Sequence, residues 1–211
     1  DVVAYNEFDK SAIQTHNANF SQCELIQENN KTDITKISND VISTYQDIDY
    51  VFAGFPCQGF SNAGKKLPSD PRNTLFKEFA RTVKLLKPKY LIGENVKGLL
   101  SRKTDLDEYF INIINSEFES LGYSMKYKVF DTTYVGVPQL RKRLIIVGIR
   151  QDIIDSSNNT FEFSNISSLN NMTLNLQNII EFNMTGAIKI ELEDFDMTSI
   201  PDECIVKDLE N

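Results

Sequence analysis

One cysteine stands in a sequence context that suits nucleophilic chemistry. Cys57 lies in the segment Ala-Gly-Phe-Pro-Cys-Gln-Gly-Phe-Ser, residues 53–61, directly after the apolar run Tyr-Val-Phe. Glycine and proline favour a defined non-helical turn, and the carboxyl ends of strands in open α/β sheets carry ligands and chemistry. A thiolate held at such a rim can act as a covalent nucleophile. A buried cysteine in a tight loop is the structural alternative.

A carboxylate and two guanidinium groups follow a similar pattern. Glu94 follows the apolar residues 90–92 after a single glycine, Gly93, and Arg141 and Arg143 precede the apolar residues 144–149. A strand-end carboxylate can work as a general acid, or it can cap a helix or form an ion pair. Alternating arginines share one side of an extended chain, where they can bind an anion or form an exposed basic edge strand.

The elements that would position these residues alternate along the first 150 residues. Strands are expected near residues 2–5, 50–53, 90–92, 127–130 and 144–149. Helices are expected over residues 9–20, 74–86 and 105–121, and Leu106 and Phe110 of the last one should face inward. Pro88 should end the second helix, and Thr104 with Asp107 should cap the third. This alternation predicts an α/β fold with a mostly parallel sheet.

The charge distribution separates a basic middle from an acidic end. The chain has 211 residues, 41% of them hydrophobic, and a formal net charge of −8. Residues 62–103 carry eleven Lys or Arg against three acids, whereas residues 152–211 carry two Lys against twelve acids. A basic stretch can contact nucleic-acid phosphates, but it can also be a solvated helix face.

Several functional classes lack their residues in this sequence. The three cysteines form no CxxC pair and no metal-ligand spacing, so we expect no metal site. The single histidine, His16, lies in a helix-like stretch with nothing around it to build a triad, so we expect a structural role. No apolar run approaches the roughly 18 residues that a membrane span needs. Sparse cysteines suit a reducing compartment, and we expect a cytoplasmic protein.

In their order and spacing, the Pro-Cys-Gln, Glu-Asn-Val and Gln-x-Arg-x-Arg strings resemble motifs of the DNA (cytosine-5) methyltransferase family of bacterial restriction-modification systems. The resemblance implies a Rossmann-like S-adenosylmethionine-dependent fold: a mixed, mostly parallel sheet with helices on both faces. It implies Cys57 as the catalytic nucleophile and Glu94 as the acid that assists at the cytosine ring nitrogen and amine. Arg141 and Arg143 would hold Glu94, the sugar-phosphate or the adduct. The target base would be flipped out of the duplex, with residues 58–72 closing over it.

The resemblance also implies a cofactor and partners. Glu7 would hold the ribose of S-adenosylmethionine, and Phe8 would cover its adenine. The implied cofactor contacts are Glu7, Phe8, Asp33, Ile34, Pro56 and Leu75. The expected partners are double-stranded DNA and, within the same system, a cognate restriction endonuclease.

Two features of the resembled family are missing from these residues. The family opens with a Phe-x-Gly-x-Gly loop around the methionine part of the cofactor, and no Gly-x-Gly occurs here. A later helix with a Gly-Asn-Ser-like motif is also absent. We therefore expect a fold incomplete at both ends. Residues 1–150 would be the catalytic domain without its glycine-loop strand, residues 151–211 would begin a target-recognition region, and the piece alone would be inactive.

Three other functions stay open at this point. A tRNA cytosine-5 methyltransferase would share the same core, although the Gly-Phe-Ser after Pro-Cys-Gln is more typical of bacterial DNA enzymes. A non-catalytic nucleic-acid-binding relative would be consistent with the absent glycine loop. An unrelated cysteine enzyme could use the same turn. Amino-directed methyltransferases are disfavoured because no Asp-Pro-Pro-Tyr-like string occurs.

Overall fold

The computed structural model of the protein describes residues 1–56, 75–104, 106–135, 137, 139–157, 161 and 163. The chain divides into two units, residues 1–173 and 174–211, and all of the described residues lie in the first. The described residues form six strands and five α-helices in an alternating order. The expected α/β class is therefore confirmed.

The strands form two separate ladders. β1 (Ala4–Tyr5) pairs in parallel with β2 (Glu24–Leu25). The larger sheet has the order β3-β4-β6-β5 and contains β3 (Tyr50–Ala53), β4 (Tyr90–Val96), β5 (Tyr123–Asp131) and β6 (Lys142–Arg150). β3 and β4 run parallel, and β6 runs antiparallel to both of its neighbours.

The helices connect and cover these strands. They are α1 (Lys10–Asn19), α2 (Asn39–Ile42), α3 (Phe76–Leu86), α4 (Phe110–Ser120) and α5 (Gln151–Ser157). Short 3₁₀ segments span Ile34–Lys36, Lys97–Ser101 and Thr132–Val135. In the described part of the chain, no helix is both long and apolar enough to cross a membrane.

α3 and α4 pack on one face of the larger sheet and form the core with it. In α3 the buried positions Phe76, Phe79, Ala80 and Val83 recur at the spacing of one helix face. The Phe79 ring meets the Phe118 ring of α4 edge-on, with the centroids 5.0 Å apart. α3 ends at a left-handed residue, Lys87, with φ of 47°, followed by Pro88 as the sequence predicted.

The start of α4 differs from the prediction. The helix begins at Phe110 and not near residue 105, and Leu106, which was expected to face inward, is 90% exposed. Thr104 Oγ1 accepts hydrogen bonds from the N–H groups of Leu106 and Glu108, so it caps a turn and not the helix. Asp107 in that turn is left-handed, with φ of 64°, which interrupts the helical pattern.

Three elements were not predicted: β2, α2 and α5. β2 has only two residues, too few to show the alternation by which strands are recognised. No helix was predicted after residue 150, yet Gln151–Ser157 form α5, which contacts β6.

Candidate active site

The parallel pairing of β3 and β4 brings their carboxyl ends to one edge of the sheet. The ladder runs from Tyr50 paired with Tyr90 to Ala53 paired with Gly93. Residues 54–56 continue beyond β3, and a Cβ atom placed on Gly54 would lie 3.8 Å from Glu94 Oε2. The predicted nucleophile Cys57 and the predicted closing segment 58–72 lie outside the described residues. The chain that leads to Cys57 therefore passes directly beside Glu94.

Glu94 forms an ion pair across the sheet with Arg143. Arg143 Nε lies 2.7 Å from Glu94 Oε1, and the two side chains are 22% and 33% exposed. In the antiparallel register, Glu94 lies opposite Ile145 and Val96 lies opposite Arg143. Glu94 and Arg143 are therefore diagonal neighbours on one face of the sheet. A guanidinium N–H donating to a carboxylate is a charge-assisted hydrogen bond, and it fixes the direction in which that carboxylate points.

Arg141 occupies a different position from Arg143. It lies just before β6 and is exposed, and its carbonyl oxygen accepts a hydrogen bond from Thr132 N–H at 3.0 Å. Arg143 also donates through Nη1 to the carbonyl of Lys142. Of the two predicted arginines, Arg143 is the one that the structure pairs with Glu94.

A second set of predicted residues gathers at the carboxyl end of the β1–β2 pair. Asn6 Nδ2 donates to the carbonyl oxygens of Ile26 and Thr32, both at 3.0 Å. These two bonds hold the segment after β1 against the segment after β2 and the turn that leads to Asp33. The sequence analysis did not assign Asn6 to the site, because its partners are 20 and 26 residues away.

The predicted cofactor carboxylates are oriented by local backbone. Glu7 Oε1 accepts hydrogen bonds from Phe8 N–H at 2.7 Å and Asp9 N–H at 2.9 Å. Asp33 Oδ1 accepts from the N–H and the hydroxyl of Thr35 at 3.0 and 2.8 Å. Phe8 is 74% exposed, so its ring is available to a ligand. This region therefore offers two fixed carboxylates and an open aromatic ring.

Arg81 of α3 links this region to the larger sheet. Its Nη2 donates to the Ile34 carbonyl at 2.9 Å, and its Nη1 donates to Asn39 Oδ1 at 2.8 Å. The same Nη2 forms an ion pair with Glu78 Oε2 at 2.6 Å. Leu75 is half-buried at the N-cap of α3, and Pro56 is exposed at the end of a described segment. The cofactor roles predicted for these two residues stay predictions.

Potential metal ligands and His16 were also considered for chemistry from the sequence, and the structure describes their surroundings. No cluster of three or more potential metal ligands occurs among the described residues. His16 stacks on Tyr5 with ring centroids 3.6 Å apart and lies 5.0 Å from the Phe20 ring. This packing favours the structural role expected for His16, which stays a prediction.

Comparison with known proteins finds DNA methylases and methyltransferases. The family described as C-5 cytosine-specific DNA methylase matches residues 1–201. Type II methyltransferase M.DdeI of Desulfomicrobium norvegicum is 39% identical over 147 residues, which cover 69% of this chain and 34% of that protein. Type II methyltransferase M.BsuFI of Bacillus subtilis is 39% identical over 183 residues, which cover 86% of this chain and 40% of that protein. The chain thus spans less than half the length of these relatives.

Two solved structures are similar to the fold. One is a prophage-encoded E. coli protein described as a DNA modification methyltransferase, with a TM-score of 0.59 and 27% identity over 72% of this chain and 41% of that one. The other is a mutant of Spodoptera frugiperda DNMT2, with a TM-score of 0.55 and 24% identity over 72% of this chain and 44% of that one. At this identity the second structure shows the fold alone.

Proposed function

The chain belongs to the C-5 cytosine-specific DNA methylase family, and on that premise we propose that it transfers a methyl group from S-adenosylmethionine to carbon 5 of cytosine in DNA. The family resemblance inferred from the sequence motifs and the Rossmann-like fold are confirmed. The observation that carries the proposal is the Glu94–Arg143 pair, which lies beside the turn that leads to Cys57.

The proposed reaction begins with covalent addition. Carbon 5 of cytosine is a poor nucleophile, but adding the Cys57 thiolate at carbon 6 turns the ring into an enamine-like species. The new sulfur–carbon bond releases electron density toward carbon 5, which would take the methyl group from the sulfonium of S-adenosylmethionine and leave a neutral thioether. Transfer of the carbon 5 proton to water, with breakage of the sulfur–carbon bond, would then restore the aromatic ring and release the Cys57 thiolate.

Glu94 would assist the addition from the other side of the base. A carboxyl group hydrogen-bonded to the ring nitrogen and the exocyclic amine stabilises charge that develops there as the thiolate adds. Arg143 holds one oxygen of that carboxylate at 2.7 Å, so its direction is set before the base arrives. Preorganisation of this kind removes a reorganisation cost from the transition state.

The residues around Asn6 fit the adenosine part of the cofactor. Glu7 would accept hydrogen bonds from the ribose hydroxyls, Phe8 would stack on the adenine, and Asp33 with Ile34 would hold the adenine edge. The fit rests on the oriented Glu7 and Asp33 carboxylates and the exposed Phe8 ring. S-adenosylmethionine, when bound, would supply an electrophilic methyl group on its sulfonium.

The proposed substrate is double-stranded DNA. A cytosine in a duplex is not accessible to a thiolate, so the base would be flipped out. The Type II names of the relatives favour a place in a restriction-modification system, with a cognate endonuclease as a further proposed partner. A cytoplasmic location stays a prediction.

Cys57→Ala in the full-length protein tests the proposal. We expect tritiated methyl transfer to mixed-sequence DNA to be abolished, while DNA binding in a gel-shift assay survives. Cys23→Ala is the matched control, because Cys23 is buried near β2 and is no part of the proposed site. Undiminished transfer by Cys57→Ala would refute the covalent mechanism. Methylation of tRNA in place of DNA, or binding without transfer by the unchanged protein, would favour the alternative functions.

A further inference from the structure

Asn95 is a polar residue in a position where an apolar one would be expected. It follows Glu94 in β4 and points to the opposite face, toward the core under α3 and α4, where it is only 2% exposed. Among the described residues, Asn95 and Asp131 are the buried polar or charged ones. Burying an amide is unfavourable unless its hydrogen bonds are made, so the contacts of Asn95 indicate why it is there.

Both ends of the Asn95 amide are used. Nδ2 donates to the Phe55 carbonyl at 3.1 Å, and Oδ1 accepts from Val96 N–H at 2.8 Å. The backbone ladder between β3 and β4 stops at Ala53 and Gly93, two residues before this contact. The side chain of Asn95 therefore continues the connection between the two chain segments after their backbone pairing has ended.

Phe55 is also anchored through its ring. A Cβ atom on Gly93 would lie 3.3 Å from Phe55 Cε1, and the Phe55 and Phe79 rings are 6.1 Å apart. On the other side of the same turn, Gly54 lies against Glu94. Residues 54–56 are thus held on one side by Asn95 and the core, and they border Glu94 on the other.

We propose that Asn95 is a positioning residue that fixes the turn formed by residues 54–56 against Glu94, and that it thereby sets the approach of Cys57 to the cytosine ring. This inference rests on the proposed function. Cys57 follows Phe55 by two residues, so chain geometry keeps their Cα atoms within about 7 Å. A displacement of Phe55 is therefore passed on to the thiol, and a misplacement of about 1 Å can lower a rate roughly a hundredfold.

Asn95→Asp in the full-length protein removes the amide donor, and it also places an acidic group at a buried position. Aspartate has nearly the same shape and can still accept the Val96 N–H, but an ionised carboxylate cannot donate to the Phe55 carbonyl. Asn112→Asp is the matched control, because it makes the same chemical change at an exposed position of α4. Asn95→Leu, neutral and of similar size, serves as a second variant, because it has no donor at all, whereas a buried aspartate that is protonated regains one.

The measurement is the rate at which Cys57 forms a covalent adduct with DNA containing 5-fluorocytosine. Fluorine at carbon 5 cannot leave as a proton does, so the adduct accumulates, and its end point reports the active fraction. We expect the Asn95 variants to form the adduct about tenfold to a hundredfold more slowly per active site, and kcat to fall in parallel. The KM values for DNA and cofactor should stay within about threefold, since no binding contact is removed.

The outcomes separate this inference from the proposal on which it rests. If the unchanged protein forms no Cys57 adduct and transfers no methyl group, the proposed function and this inference fall together. If the unchanged protein is active and both Asn95 variants match Asn112→Asp in adduct rate per active site, the inference alone is overturned. A loss of active fraction without a loss of rate also overturns it, because that result is expected of a merely structural residue.

Discussion

Arg143→Gln removes the charge that faces Glu94 while it keeps a polar side chain in β6. Two unit charges about 4 Å apart interact by about 1 kcal/mol in water and by about 4 kcal/mol at an effective dielectric constant of 20. Arg143 and Glu94 keep 22% and 33% of their side chains exposed, which places the pair between these limits. We therefore expect a loss of about 1.5 to 2.5 kcal/mol of transition-state stabilisation, which is roughly a tenfold to seventyfold lower kcat.

Single-turnover methyl transfer at saturating DNA and cofactor measures this effect without a contribution from product release. Arg143→Lys should lie between the unchanged protein and Arg143→Gln, because lysine keeps the charge but lacks the planar set of donors. Lys142→Gln removes one positive charge from the neighbouring, exposed position and should leave the rate within about twofold, as surface substitutions usually do. The Arg143→Gln change should have less effect when Glu94 is already glutamine, because the two residues act as a pair.

Two results would refute this reasoning. One is an Arg143→Gln rate equal to that of Lys142→Gln, which would mean that the ion pair has no part in the chemical step. The other is an equal loss for Arg143→Gln with and without Glu94→Gln, which would mean that Arg143 acts through a different partner.

Three further changes test other parts of the structure, each in the full-length protein. Glu7→Ala should weaken S-adenosylmethionine binding in calorimetry by about tenfold or more through lost hydrogen bonds to a charged acceptor, and an unchanged affinity would contradict the ribose assignment. Burial raises the pKa of Tyr123 to about 12, and its hydroxyl donates to the Pro88 carbonyl at 2.6 Å. Because the unfolded chain ionises this tyrosine near pH of about 10, the contribution of Tyr123 to the free energy of unfolding should be complete below that pH and be lost as the pH rises toward 12. In urea unfolding at pH 8, the Tyr123→Phe variant should have a free energy of unfolding about 1 to 2 kcal/mol lower than that of the unchanged protein. Between pH 8 and pH 11 this free energy should fall less in the variant than in the unchanged protein; an equal fall in both would refute this account. Gly148→Ala would place a Cβ atom 2.6 Å from Met125 Sδ, so it should destabilise by about 1 to 3 kcal/mol, and an unchanged thermal midpoint would contradict the crowding.

The amino-acid sequence by itself determined the features that depend on local pattern. The periodicity of residues 74–86 predicted a helix that the structure shows as α3, Phe76–Leu86, because one helical turn brings apolar residues three or four apart to the same side. The apolar run before Gly54 predicted β3 with the bounds that the structure shows. Cys57 and Glu94 could be named from the residues around them, because each comes shortly after an apolar run that predicted a strand, although the structure extends β4 through Glu94 to Val96. The roles of these two residues stay predictions.

Only the tertiary structure decided the features that depend on which distant segments meet. Arg143, and not Arg141, pairs with Glu94 because the register of β4 and β6 opposes Val96 to Arg143, and residues so far apart in sequence carry no local signal of their register. Asn95 reaches Phe55 across 40 residues, and Asn6 joins two segments that follow different strands. Leu106 matched the helical period of α4, yet the hydrogen bonds of Thr104 turned that segment outward. Periodicity is read from neighbours in the chain, whereas register, burial and hydrogen-bond partners are set by packing between elements.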